Sequence, residues 1–160
     1  MAEDSCIIRF MEDRDLPQIA AIERGIFTTP WSEEGFRAAI QMPDNIYLTA
    51  EQDPGKVVGY CGMYVSPGEG EIVNVAVAPG SRRRGIAKRL LTCLLSESAK
   101  RGIHSCLLEV RKSNAGAIAL YEKMGFKSLG IRKNFYESPR EDALIMARTE
   151  VQENELRQEE

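Results

Sequence analysis

Apolar and polar positions change their rhythm several times along the chain, and each rhythm predicts an element. A short apolar run over 5–10 reads as a first strand. Behind it, Ile19, Ile22 and Ile26 recur at helical spacing, with Asp15 placed to cap the helix and Pro17 suited to its first turn. Pro30 ends that helix, Ser32 caps a second one over 33–41, and Pro43 limits it. Residues 46–50, 57–65 and 71–78 then read as three strands joined by turns at Asp53-Pro54-Gly55 and Pro67-Gly68, which makes an antiparallel meander.

The second half returns to a helical period. Ile86, Leu90, Cys93 and Leu94 form one apolar face of a helix that runs to Lys100 and stops at Gly102. A strand over 104–111, a helix over 114–124 closed by Gly125, and strands over 126–132 and 142–148 follow. Strand, helix, strand between 72 and 110 is a parallel crossover unit set in a mostly antiparallel sheet. The expected fold is mixed α/β, a mostly antiparallel twisted sheet with a central parallel strand-helix-strand unit and flanking helices. One domain spans 1–149, and the acidic tail 150–160, poor in apolar residues, is expected to be mobile.

Composition narrows the function. A chain of 160 residues supports one core. Lys and Arg number 21 against 24 Asp and Glu, a net charge of −3, which excludes a general nucleic-acid binder and makes any basic cluster a local feature. Met1-Ala2-Glu3-Asp4 leads into no signal-like apolar run, and no helical run is long enough to span a membrane, so a cytoplasmic monomer is expected. Cys6, Cys61, Cys93 and Cys106 form no Cys-x-x-Cys pair and read as small buried hydrophobes. With His104 as the one histidine, no metal is expected.

One cluster stands out chemically. Arg82, Arg83, Arg84, Lys88 and Arg89 crowd the start of the long helix, where unpaired N–H groups already carry partial positive charge. Each cation there costs roughly 0.3–1 kcal/mol, and a bound anion reverses the sign. Gly85 permits close backbone approach and the small Ala87 keeps the same face clear, so a pyrophosphate fits beyond the end of the preceding strand. The plain alternative is a solvated basic turn.

The segment VNVAVAPGSRRRGIAKRLL resembles the acetyl-CoA signature of the GNAT N-acetyltransferases, Arg/Gln-x-x-Gly-x-Gly/Ala, carried here by Arg82, Gly85 and Ala87. Downstream, Asn114, Ala117, Leu120, Tyr121, Gly125 and Phe126 are similar to its second half. Pro30-Trp31-Ser32, Leu108-Glu109-Val110-Arg111 and Arg132-Lys133-Asn134-Phe135-Tyr136 resemble the RimI-type protein N-terminal alanine acetyltransferases, over about 5–148. The resemblance implies acetyl-CoA as co-substrate, with its pyrophosphate on the backbone of Arg83, Arg84, Gly85, Ile86, Ala87 and Lys88. Its arm then pairs with Val75, Ala76 and Val77 beside a bulge at 75–77, and the N–H of Val77 faces the thioester oxygen. The implied acceptor is a protein N-terminus, characteristically of a ribosomal protein. A small amine, an internal lysine, or a catalytically silent acyl-CoA sensor are the other readings.

Acetyl transfer to an amine requires a base, a stabilised oxyanion and a proton for the departing thiolate. Glu109 interrupts an apolar strand and is the candidate base, or else a strand-end carboxylate paired with Arg111 or another cation. Tyr121 is the candidate acid, or a core aromatic beside Ile118 and Met124. Asn114 lies two helical turns before Tyr121 on the same face, to contact the coenzyme arm, to cap its helix, or both. Trp31 and Tyr136 are the expected acceptor walls, with packing as the alternative role.

Overall fold

The computed structural model describes residues 6–149. Position 5 of the expected first strand and the expected mobile tail 150–160 lie outside the described residues. Seven strands, β1 (Ile7–Phe10), β2 (Ile46–Gln52), β3 (Lys56–Ser66), β4 (Glu69–Val77), β5 (Ser105–Arg111), β6 (Lys127–Glu137) and β7 (Arg140–Thr149), form one sheet. Its order is β1-β2-β3-β4-β5-β7-β6, and among the described residues only β4 and β5 pair in parallel. The helices α1 (Leu16–Ile26) and α2 (Glu33–Gln41) precede β2, α3 (Ile86–Lys100) crosses from β4 to β5, and α4 (Ala115–Lys123) follows β5. This is the expected architecture.

Two cores sandwich the sheet. Leu90, Leu91 and Leu94 of α3 pack with Val58, Cys61, Met63, Leu108, Phe126 and Met146 on one face. On the other, α1 and α2 bring Leu16, Ile19, Phe36 and Ala39 against Tyr47, Tyr60 and Ala76. Each fully buried Leu, Ile, Val, Phe or Met among them stabilises the fold by about 1.5–3 kcal/mol relative to exposure. Ser32 caps α2 as expected, its Oγ accepting from the N–H of Gly35 at 3.1 Å. Among the described residues no helix is long and apolar enough to cross a membrane.

Three local expectations fail for identifiable reasons. Asp15 does precede α1, but its carboxylate is not spent on the helix: Arg9 reaches both oxygens at 2.7 and 2.8 Å, and the N–H of Glu12 donates to it. A buried bidentate ion pair outweighs a single cap bond. Cys93 is exposed, because α3 turns Leu90, Leu91, Leu94 and Leu95 inward and leaves position 93 outside the stripe; Cys6, Cys61 and Cys106 are buried thiols. The last two strands run to Glu137 and back from Arg140 rather than stopping at 132 and starting at 142. Their hairpin absorbs extra residues between Arg132 and Tyr136, where Asn134 takes φ +52° and its N–H donates to Asp142 Oδ1 at 2.9 Å.

Candidate active site

The site opens where the parallel pair comes apart. β4 and β5 pair from Glu69 with Ser105 to Ile72 with Leu108, yet β4 continues to Val77 and β5 to Arg111. On its other edge β4 faces β3 with Asn74 opposite Gly62 and Ile72 opposite Met63, so Val73 is an extra residue. Such a bulge bends its strand and increases twist. It therefore lies at Val73 rather than at 75–77. Gly62 makes the place: a Cβ there would sit 2.1 Å from Tyr47 Cε1, so the glycine leaves the Tyr47 ring room, and the Tyr47 hydroxyl donates to Asn74 Oδ1 at 2.8 Å.

The result is a cleft of about 980 Å³. Val75, Ala76 and Val77 line one side, and Glu109, Asn114, Ala117 and Tyr121 the other. Ala78 donates its N–H to the Val58 carbonyl at 2.8 Å, so strand alternation turns the N–H of Val77 toward the gap.

At the α3 end of the cleft Gly85 holds φ +74° at the N-cap and Arg83 holds φ +67°. The left-handed region costs a side chain such as Arg83 roughly 1–2 kcal/mol, and strain of this kind collects at ligand-binding turns. The five cations divide. Arg82 donates through Nε to the Val77 carbonyl at 3.1 Å and Arg89 through Nη2 to the Cys6 carbonyl at 2.7 Å. Among the described residues the side chains of Arg83, Arg84 and Lys88 make no hydrogen bond or ion pair. Arg82, Arg83, Gly85, Ile86, Ala87 and Lys88 line the cleft, while Arg84 is exposed outside it. Unpartnered cations at a helix start, next to an unpaired strand edge, fit a coenzyme with a phosphate chain at one end and an amide-bearing arm.

Glu109 stands on the face of β5 opposite the buried Cys106, Leu108 and Val110. Its side chain keeps 13% exposure, and Oε1 lies 3.3 Å from Arg132 Nη1, while the buried Oε2 has no hydrogen-bond partner. Burial pushes its carboxyl above the usual carboxylate value; Arg132 pulls it partly back and Glu71 adds to the rise. The ion-pair reading of Glu109 therefore holds with Arg132 as the cation and not with Arg111, which instead donates to the Pro139 carbonyl at 2.9 Å, contacts Glu141 at 3.4 Å and lies over the Tyr136 ring at 4.2 Å.

Tyr121 is both a packed aromatic and a cleft wall. Its ring meets Phe126 edge-on at 5.8 Å, and burial first, then Cys61 and Tyr136, leave its phenol pushed up to about 12. Asn114 likewise combines two placements, its Oδ1 accepting from the N–H of Ala117 at 3.2 Å while it lines the cleft.

Trp31 and Tyr136 line the far end of the cleft. Trp31 is also packed, with its ring 5.3 Å from Phe36 and 6.2 Å from Tyr64. The connection between α1 and α2 touches the β6–β7 hairpin through the Thr28 hydroxyl, which donates to the Ser138 carbonyl. Sequence reading missed this contact, together with the buried Glu23 that lines the cleft beside it. Glu23 had a signal: it shares the α1 stripe of Leu16, Ile19 and Ala20, where a carboxylate is out of place.

Comparison with known proteins agrees with this geometry. The model of the acetyltransferase (GNAT) family matches residues 16–126. The chain is 41% identical over 142 residues to the [ribosomal protein bS18]-alanine N-acetyltransferase of Escherichia coli strain K12, covering 88% of this chain and 95% of that one. It is 35% identical over 140 residues to the putative [ribosomal protein bS18]-alanine N-acetyltransferase of Bacillus subtilis, covering 87% and 92%. Among solved structures, the ribosomal-protein-S18-alanine N-acetyltransferase from Escherichia coli superposes with a TM-score of 0.84 at 38% identity, covering 93% of this chain and 97% of that one. Because the family match takes in both arms of the splayed pair and the turn that opens α3, the chain belongs to the GNAT acetyltransferase family and is an acetyl-CoA-dependent N-acetyltransferase.

Proposed function

We propose that this enzyme acetylates the α-amine of a protein N-terminus in the cytoplasm, with alanine as the preferred first residue, a ribosomal protein as the natural acceptor, and residues 1–149 as its single domain. The observation that carries the reading is Glu109, a carboxylate that lines the cleft and whose buried Oε2 has no hydrogen-bond partner. An α-amine has a pKa of about 7.7–8.0 against about 10.4 for lysine, so far more of it is neutral at pH 7 and one carboxylate suffices as base. The similarity to the [ribosomal protein bS18]-alanine N-acetyltransferase of Escherichia coli and to its putative Bacillus subtilis counterpart supports the same acceptor.

Roles follow from chemistry and position. Backbone of Arg83, Arg84, Gly85, Ile86, Ala87 and Lys88 would hold the pyrophosphate, with the Arg83 and Lys88 side chains at the cleft; Val75, Ala76, Val77 and Asn114 would hold the arm. Acetyl-CoA supplies an acetyl group activated as a thioester. Glu109 accepts the proton that the attacking nitrogen must shed. The N–H of Val77 stabilises the negative charge that develops on the acyl oxygen. Tyr121 donates a hydrogen bond to the departing sulfur, and Trp31 with Tyr136 bounds the first residue of the acceptor.

A peptide series that differs only in its first residue tests this with acetyl-CoA as donor. Alanine is expected to react fastest and bulky first residues slowest, because a narrow groove rejects bulk. Rates independent of the first residue, or a polyamine that outcompetes every peptide, contradict the reading.

A further inference from the structure

Glu23 is a deeply buried carboxylate that the chemistry above leaves without a task. It is 4% exposed, on the inward stripe of α1, and a carboxylate held away from water is costly unless hydrogen-bonded. Both oxygens are taken. Oε1 accepts from the Tyr60 hydroxyl on β3 at 2.6 Å, and Oε2 from the backbone N–H of Trp31 at 2.9 Å. Neither donor carries charge, so these bonds do the work of keeping the group buried, and they tie two separate pieces of chain to one side chain.

The tied pieces matter because of where they lead. Tyr60 is fully buried and meets Phe36 edge-on at 5.5 Å, which makes it a fixed post. Trp31 belongs to the connection between α1 and α2, whose Phe27, Thr28, Thr29 and Trp31 line the cleft at its acceptor end. The N–H of Phe27 donates to the Glu23 backbone carbonyl at 3.0 Å and Thr28 reaches across to Ser138. The connection thus leaves α1 at the Glu23 backbone and returns to the Glu23 side chain four residues later. We propose that Glu23 is a positioning residue, a clamp that sets the acceptor wall by fixing Trp31 against β3. It rests on the reading of the acceptor given above, and it touches neither coenzyme nor reacting atoms.

Glu23→Ala and Glu23→Gln in the full chain test this with three readouts. Trp31 is the one tryptophan of the chain, so its fluorescence reports the connection directly. In Glu23→Ala the Trp31 N–H and Tyr60 hydroxyl lose their acceptor; emission is expected to shift to the red and acrylamide quenching to increase. KM for an alanine-terminated peptide is expected to rise about tenfold or more, the cost of buried unsatisfied donors expressed as affinity, while the acetyl-CoA Kd stays within about twofold. Glu23→Gln is expected to restore both, since its amide oxygen can accept from Trp31 and its NH2 can donate to Tyr60 Oη. If the alanine variant does not fold, Tyr60→Phe replaces it and is expected to give a smaller rise in KM with the same unchanged Kd. An unchanged emission and KM in a folded variant, or an equal loss of coenzyme affinity, overturns the proposal. If the unmodified enzyme acetylates no peptide terminus, the acceptor reading fails on its own, and unchanged Trp31 emission in Glu23→Ala then decides against the clamp.

Discussion

Glu109→Gln is expected to lower kcat by about 10²–10³-fold while leaving acetyl-CoA affinity unchanged. The amide keeps the size of the side chain but loses the negative charge that faces Arg132 and, with it, the capacity to take a proton at neutral pH. The reactive ground state pairs a neutral amine with an ionised carboxylate, so each group sets an acid limb. Burial raises the Glu109 pKa, against the pull of Arg132 and with the help of Glu71, so the carboxyl becomes protonated, and the base is lost, as pH falls through a value above the usual carboxylate range. Below the amine's own pKa, log kcat is expected to fall with unit slope; below the Glu109 pKa the slope steepens to two. In Glu109→Gln the unit slope is expected to persist throughout. A steady-state pH series at saturating peptide reads both slopes. A slope of two that survives in the variant assigns the second proton to another group.

Tyr121→Phe is expected to cost about 10²-fold in kcat, again with little change in coenzyme binding. Its phenol, pushed up to about 12, stays protonated throughout the working range, which suits a donor. The same value makes it a weaker acid than free tyrosine at about 10 or a thiol at about 8.5, so its first contribution is a hydrogen bond to sulfur as charge builds there, with proton transfer following. Burial acts on a neighbouring thiol in the same sense and narrows the gap. Accordingly kcat is expected to show no alkaline fall from Tyr121 up to about pH 11. Replacing the acyl donor by a thioester with a more acidic leaving thiol should rescue Tyr121→Phe and leave Glu109→Gln slow. Equal rescue of both variants would separate Tyr121 from the leaving group.

The fold was readable because its signals are local. Ser32 before 33–41, Gly102 after α3, Asn114 before α4 and the period-two burial of β5 all depend on residues within a few positions of one another. The basic turn was equally plain, because five cations at a helix start conflict with the helix dipole. What escaped was long-range. Asp15 gave up its capping role to Arg9, which lies on a different element, β1. The bulge at Val73 sits opposite Gly62, where the Tyr47 ring leaves no room for a Cβ, and the partner of Glu109 is Arg132, brought round by an irregular hairpin whose charged sequence carries no clear period. Glu23 lay in plain view, but only its two donors, at positions 31 and 60, show why a carboxylate is tolerated there.

The acceptor atom is the most direct test of all that precedes. Two peptides of equal composition, each with alanine first and one internal lysine, differ only in that the second has its terminus blocked. After incubation with acetyl-CoA, mass spectrometry is expected to find acetyl on the α-nitrogen of the first peptide and almost none on either lysine. Acetyl on lysine at comparable rates in both peptides would contradict a terminal-amine enzyme.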